Sequence, residues 1–291
     1  MNKTNRFIGY IAGVTALFFG LLSCQKMERP KLGEYAKDAN PPGGPLKFYV
    51  AFDGATSDPL MNAVDSIRAN FPSSNPLASV AGISGKGVQG APAKDKAITY
   101  TSANDFAAST SWTIAYWMKN VPATDGEPEF HFSLPSKDYG HGSALFLLVE
   151  KGGPDPGNST NSLMACKLAI EDSWLDFIGP DRLPNVLNGS WHHLVFVYDA
   201  TDSKVRAYVD GQLAKTLGPV MKNGAPRGAR PFTNTSNFVI GGWNKHGGVP
   251  VGDSWVFDPW VHSYSGSMDQ FRLYGKALTA SEVQALFNSK L

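Results

Sequence analysis

The 291-residue chain has only two cysteines, Cys24 and Cys166. At most one disulfide could form, so a disulfide-stapled scaffold is excluded and the fold must rest on an ordinary apolar core. Charge of one sign is also missing: 26 Lys and Arg stand against 25 Asp and Glu, and the basic residues form no cluster. A nucleic-acid partner needs a basic patch for its phosphates and is excluded on that ground. Beyond one apolar run from Phe7 to Leu22, no stretch is long enough for a membrane helix. The six histidines show no zinc spacing. His192 and His193 are neighbours in a strand and so project to opposite faces. No solenoid-length repeat is present. Catalytic signatures are equally scarce. Gly140-His141-Gly142-Ser143 lacks the glycine that would complete a nucleophile elbow. The acids in Glu171-Asp172-Ser173-Trp174-Leu175-Asp176 do not alternate onto one face of a strand.

The N-terminus has more to say. Lys3 and Arg6 precede the apolar run, which ends in Leu21-Leu22-Ser23-Cys24. This resembles a bacterial signal peptide (residues 1–23) closed by a lipobox, with Cys24 as the lipidated residue. Two or more acyl chains, at about 0.8 kcal/mol per buried CH₂, anchor a protein stably without any membrane helix. Gln25, rather than an aspartate, at the second mature position implies an outer-membrane address by the same resemblance. Removing the signal leaves 24 basic against 25 acidic residues. Residues 24–45, with Pro30, Pro41, Pro42, Gly43, Gly44 and Pro45, read as a flexible tether. Cys166, in an apolar context and without a partner, is expected as a buried inert thiol.

Residues 46–291 have the texture of a β protein. Phe48, Val50 and Phe52 alternate with Tyr49 and Ala51. Trp112 to Met118 is bulky on both faces, which predicts a central strand. Trp191 to Asp199 and Lys204 to Val209 follow, and Asp210-Gly211 is a two-residue hairpin signal. Phe238 to Ile240 and Met268 to Tyr274 add further strands. Short strands at this spacing predict a sandwich or jelly roll. One helix is predicted at the C-terminus, where Thr279 and Glu282 fit a capping box ahead of Val283, Leu286 and Phe287.

Four stretches carry a family resemblance: Phe52-Asp53-Gly54; Gly189-Ser190-Trp191-His192-His193-Leu194 on to Tyr208-Val209-Asp210-Gly211; Phe238-Val239-Ile240-Gly241-Gly242; and Gly266 to Tyr274 with Ala277-Leu278-Thr279. Together they resemble the laminin-G-like, concanavalin A-like jelly roll. The resemblance implies an all-β sandwich with one short C-terminal helix. It also implies a calcium site near the termini, at which Asp53 and Asp269 would share an ion with backbone carbonyls. The plainer alternative is that Asp53 serves the Asp-Gly turn and Asp269 bonds locally. The fold hosts binding modules, glycosidases, lyases and adhesion domains alike, so it does not fix function.

The loop from Trp243 to Tyr264 holds the densest aromatic and polar mixture: Trp243, Asn244, Lys245, His246, Trp255, Phe257, Asp258, Trp260, His262 and Tyr264. Sugars present C–H faces to rings and hydroxyls to Asn, Asp and His. One stacked face contributes about 2 kcal/mol, whereas millimolar binding needs about 4 kcal/mol, so a site needs several such residues. The leading carbohydrate contacts are therefore Trp243, Asn244, His246, Trp255, Trp260 and Tyr264. Packing of the loop onto the sandwich is the alternative. Arg206 and Tyr208 are added from the strand face expected to point away from the core. The expected function is glycan binding by a lipid-anchored envelope protein, with a polysaccharide or oligosaccharide partner and an outer-membrane transporter as a further one. A glycoside hydrolase or lyase, with acids from separate strands, and a protein-binding adhesive domain are the alternatives.

Overall fold

The computed structural model describes residues 44–53, 76–249 and 258–290. All of them fall in one compact unit, Asn40–Leu291. Cys24, the expected lipidation residue, Trp255, and the expected tether up to residue 43 lie outside the described residues.

The strands in chain order are β1 (Leu46–Val50), β2 (Ala78–Ala81), β3 (Lys86–Gln89), β4 (Ile98–Tyr100), β5 (Trp112–Lys119), β6 (Glu129–Pro135), β7 (Ser143–Val149), β8 (Leu163–Met164), β9 (Cys166–Ile170) and β10 (Ser173–Phe177). They continue as β11 (Leu183–Pro184), β12 (Trp191–Asp199), β13 (Lys204–Val209), β14 (Gln212–Leu217), β15 (Met221–Lys222), β16 (Ala225–Pro226), β17 (Phe238–Ile240), β18 (His262–Ser263) and β19 (Ser267–Tyr274). The helix α1 spans Ala280–Asn288.

Two large sheets form the sandwich. Sheet A runs β14-β13-β12-β5-β19-β3-β2, with β1 also paired to β19. Sheet B runs β10-β9-β7-β6-β17-β4, with β18 added parallel to β6. The first and last strands, β1 and β19, are thus antiparallel neighbours. As its bulk on both faces predicts, β5 is central, flanked by β12 and β19, and seven of its eight residues are buried.

Period-two alternation decides which side chains meet between the sheets. Ile114, Tyr116 and Met118 of β5, with Phe271 and Leu273 of β19, face Phe132, Leu134, Leu145, Leu147, Leu168 and Phe238 of sheet B in one apolar core. Tyr116 stacks on Phe271 at a 5.1 Å centroid distance, the spacing aromatic pairs favour. Cys166 lies in this core, fully buried, and burial pushes its thiol pKa far up, as expected for an inert thiol.

Turn chemistry follows the sequence. Asp210 (φ 50°) and Gly211 (φ 80°) both occupy the left-handed region that a two-residue hairpin demands. The Asp210 carboxylate also accepts the His193 backbone N–H at 2.9 Å, which fastens the turn to β12. At α1, Thr279 Oγ1 accepts from the Glu282 N–H while Glu282 Oε2 accepts from the Thr279 N–H at 2.9 Å. This is the predicted capping box.

Candidate functional site

The carboxylates of Asp53 and Asp269 come from the two ends of the unit and meet at the β2–β3 loop. Asp269 Oδ2 accepts the Ile83 N–H at 2.8 Å and the Ser84 N–H at 3.4 Å. Asp53 Oδ1 accepts the Lys86 N–H at 2.7 Å. The loop can pass between them only because of its glycines: a β-carbon at Gly82 would run into the Asp269 carboxylate, and one at Gly85 into Asp53. A bulge in β19 sets the register here. Asp269 pairs with Trp117 and Arg272 with Ala115, so Gln270 (φ 48°) and Phe271 stand opposite Tyr116 alone.

The pair carries an unmet electrostatic demand. Asp269 Oδ1 is buried without a hydrogen-bond partner. Burial, reinforced by the charge of Asp53 and opposed by the backbone donors, raises the Asp269 pKa to about 7. Two hard oxygen donors, one of them orphaned, fit a calcium ion completed by carbonyls or water. They do not fit zinc or another nitrogen- or sulfur-seeking metal. Among the described residues no three His, Cys, Asp or Glu side chains converge on one point.

The described residues of the loop after β17 are engaged in packing. Trp243 and Asn244 are fully buried and Tyr264 is 1% exposed. Trp243 Nε1 donates to Ser143 Oγ at 3.0 Å, and the indole packs with Phe130, Phe146 and Val261 on the outer side of sheet B. Asn244 Nδ2 donates to the Gly142 carbonyl at 2.7 Å, while its Oδ1 accepts from Ser133 and Ser143. Tyr264 packs in the core beside His131. His246 Nδ1 accepts the Trp243 N–H, its Nε2 bonds to the Val261 carbonyl, and burial lowers its pKa to about 4. These four residues, expected as ligand contacts, are engaged in packing and hydrogen bonds within the fold. Trp260 is half-buried, packed near Phe130, and donates from Nε1 to Asp258 at 3.1 Å.

Arg206 and Tyr208 also depart from expectation. They do point away from the core, as the alternation requires. However, α1 covers part of that face of sheet A: Tyr208 is 4% exposed and packs in a cluster with Val195, Val197, Leu278 and Val283. Arg206 is paired to Asp202 at 2.5 Å. The sequence placed both on the correct face but did not say that α1 folds back over that sheet.

The outer face of sheet B supplies what the loop does not. Trp174 of β10 is 38% exposed, against full burial for Trp112 and Trp243. It stands edge-on to Phe146 at 5.2 Å and to His141 at 6.0 Å. Asp176, two residues on, shares its face, as does Lys167, which pairs with Asp176 across the strands and with Glu150 at 2.8 Å. An indole, a lysine and the Asp176 carboxylate thus share one face of β9 and β10, with Glu150 just beyond the end of β7. Strand alternation in Ser173–Phe177 put Trp174 opposite the core residues Leu175 and Phe177, and that was the legible signal for it.

Two further acid clusters among the described residues are internally neutralised. Glu129 and Asp125 both reach Lys94 Nζ, at 2.7 and 2.8 Å. Glu171 is at the β9–β10 turn, with φ 56°, and pairs with the buried Arg227 at 3.0 Å and with Lys222 at 3.1 Å. A catalytic acid pair needs carboxylates free to exchange protons, and these are held by cations.

No curated protein matches this sequence. Among solved structures, domain 4 of AbnA, a GH43 extracellular arabinanase from Geobacillus stearothermophilus, in complex with arabinotriose, superposes with TM-score 0.50 at 20% identity over 83% of this chain and 97% of that domain. The binding domain of Paraclostridial Mosquitocidal Protein 1 gives TM-score 0.54 at 15% identity, over 84% of this chain and 52% of that one. The botulinum neurotoxin serotype G binding domain gives 0.54 at 12%, over 83% and 50%. The chain thus spans about half of those two toxin domains. At such identities the likeness is one of fold. The laminin-G family model described as the concanavalin A-like lectin/glucanases superfamily matches residues 92–284. With the two antiparallel sheets and the single C-terminal helix, this match places the chain in the concanavalin A-like lectin/glucanase superfamily.

Proposed function

We propose that the chain is a carbohydrate-binding protein of the cell envelope, held by lipid at Cys24, which reads glycans on the outer face of sheet B. The observation that carries this is the 38% exposure of Trp174 beside Lys167, Asp176 and Glu150, where Trp112 and Trp117 of β5 are buried. An indole supplies an apolar surface for sugar C–H groups, and the neighbouring ammonium and carboxylates suit hydroxyls. The arabinotriose complex of a domain with this fold supports the ligand class. No described helix is long and apolar enough to cross a membrane; the proposed anchor, the lipid on Cys24, needs none. A role beside an outer-membrane transporter in glycan uptake belongs to the same reading.

Calcium completes the proposal. Asp53 and Asp269 would hold the ion, whose chemistry is to neutralise two nearby carboxylates and so pin β1, the β2–β3 loop and β19 together. The chain's own contribution is the loop Gly82–Lys86, which already binds both carboxylates through backbone N–H groups.

Electrophoresis of the full chain through gels loaded with soluble polysaccharides tests the binding reading. Wild type is retarded by at least one glycan, Trp174→Ala loses most of that retardation, and no reducing sugar is released. Retardation that survives in Trp174→Ala removes the platform. Migration unaffected by any of a broad panel removes carbohydrate binding.

A further inference from the structure

At the far end of sheet B from the Trp174 turn, three loops enclose an open-mouthed depression of about 820 Å³. Its walls are the β5–β6 loop (Pro122, Ala123, Thr124), the β7–β8 loop (Gly152 to Pro154 and Ser159 to Ser162) and Asn185 after β11. β7 leaves the sheet at Val149, whereas Trp174 lies level with Phe146 through Ala169. At about 3.3 Å per residue, that separates the two places by roughly 10 Å or more along the strands.

The depression is built by backbone bonds between the loops. Gly152 N–H donates to the Ala123 carbonyl at 2.8 Å, Ser159 N–H to Lys151 at 2.8 Å and Asn185 N–H to Ser162 at 2.7 Å. Ser159 Oγ is turned inward to the Glu150 carbonyl, so Asn158-Ser159-Thr160 is a structural turn. A β-carbon at Gly152 would lie 2.9 Å from the Ala123 carbonyl oxygen, which makes glycine necessary for the loops to touch. Such a site is largely formed before a ligand arrives, which lowers the entropy cost of binding.

The lining is uncharged: no Lys, Arg, His, Asp or Glu is part of it. Pro122, Ala123 and Pro154 offer aliphatic surface. Thr124, Asn161 and Asn185 line it with side chains that make no hydrogen bond to any described residue. A volume of this size accommodates a sugar of one to three residues. Amide and hydroxyl groups next to aliphatic carbon match a neutral sugar, while a carboxylate or sulfate would meet no counter-charge in the lining.

From this we infer that the depression is a second saccharide site, selective for uncharged sugar units and separate from the Trp174 platform. The inference rests on the carbohydrate-binding reading and deepens it. Two sites on one rigid sandwich would let a polymer engage both, so long chains would bind more tightly than short ones.

The test is backbone amide NMR of the full chain, titrated with arabinotriose, maltotriose, cellotriose and, as the charged comparison, sialyllactose. The variants are Asn161→Ala, Trp174→Ala and Asn185→Gly, the last chosen because Asn185 has φ 58° and glycine keeps that backbone. The expected result is saturable shifts at Thr124, Gly152, Gly153, Asn161 and Asn185 with a neutral trisaccharide. The affinity read from these shifts should fall at least tenfold in Asn161→Ala or Asn185→Gly, whereas Trp174→Ala should remove only the shifts that surround residue 174. Shifts confined to the surroundings of Trp174 overturn the second site and leave the platform standing. Shifts in the depression alone sustain it and overturn the platform. Sialyllactose shifting it more strongly than every neutral sugar overturns the selectivity, and a panel that shifts neither place overturns both.

Discussion

The outer faces of the two sheets treat their aromatic residues in opposite ways. On sheet A, Trp117 is 1% exposed and stacks on Phe287 of α1 at 5.5 Å, and Tyr208 and Tyr274 are buried nearby. On sheet B, Trp243 is sealed by the loop after β17, but Trp174 remains 38% exposed. The same residue type is sealed in one place and more than a third exposed in another. What separates the described cases on sheet A is α1, which returns over that sheet.

This contrast can be broken at graded points. The largest effect is expected from Val283→Asp, which puts a carboxylate at a fully buried position of α1 facing sheet A. Burying an unpaired charge should cost about 4 kcal/mol, read as a lower urea midpoint. Next, Trp243→Ala removes a fully buried indole and should cost about 3 kcal/mol, with glycan retention by the folded protein unchanged. By contrast, Trp174→Ala should cost about 1 kcal/mol of stability while weakening glycan binding by roughly 5- to 30-fold, the size of one lost stacking face. If the two tryptophan variants have the same profile, the distinction between the faces is lost.

Two further effects are smaller. Chelation should lower the wild-type Tm by several degrees, and Asp269→Asn should abolish the chelator effect. An equal response to chelator in both proteins would remove Asp269 from the ion site. Acid should act through His193, which is fully buried with both ring nitrogens unpartnered. Burial first, and then the charge of Arg272, lower its pKa from 6.5 to about 3. The unfolded chain therefore takes up a proton near pH 6.5 that the folded chain refuses until about pH 3. The stability this group contributes is complete above pH 6.5 and is lost as pH falls from there to about 3. His193→Phe should flatten that part of a Tm-against-pH curve.

Much of the fold was legible in the sequence because its signals are local. The central position of β5 followed from bulk on both faces, the β13–β14 turn from Asp210-Gly211, and α1 from Thr279 and Glu282. The meeting of Asp53 with Asp269 was legible only through the family resemblance, since the residues stand in opposite halves of the chain. The sugar-contact residues were less legible for a different reason. Aromatic density in Trp243 to Tyr264 is the same whether a loop clasps a ligand or clasps the sheet below it. The satisfied hydrogen bonds of Trp243, Asn244 and His246 are tertiary facts with no sequence signature. Trp174 is marked only by alternation: Leu175 and Phe177 face the core, which turns the indole outward, while the acids around it carry no spacing signal.

The most direct test of the glycan platform is hydroxyl-radical footprinting of the full chain with and without a saturating polysaccharide that retards it in gels. Oxidation is read at Trp174, with Trp260, half-buried on the same side of the sheet, as the internal comparison. Several-fold protection of Trp174 with little change at Trp260 is the result this account predicts. Unchanged oxidation of Trp174 while the polysaccharide is bound would contradict it, because the ligand would then be seated elsewhere on the molecule.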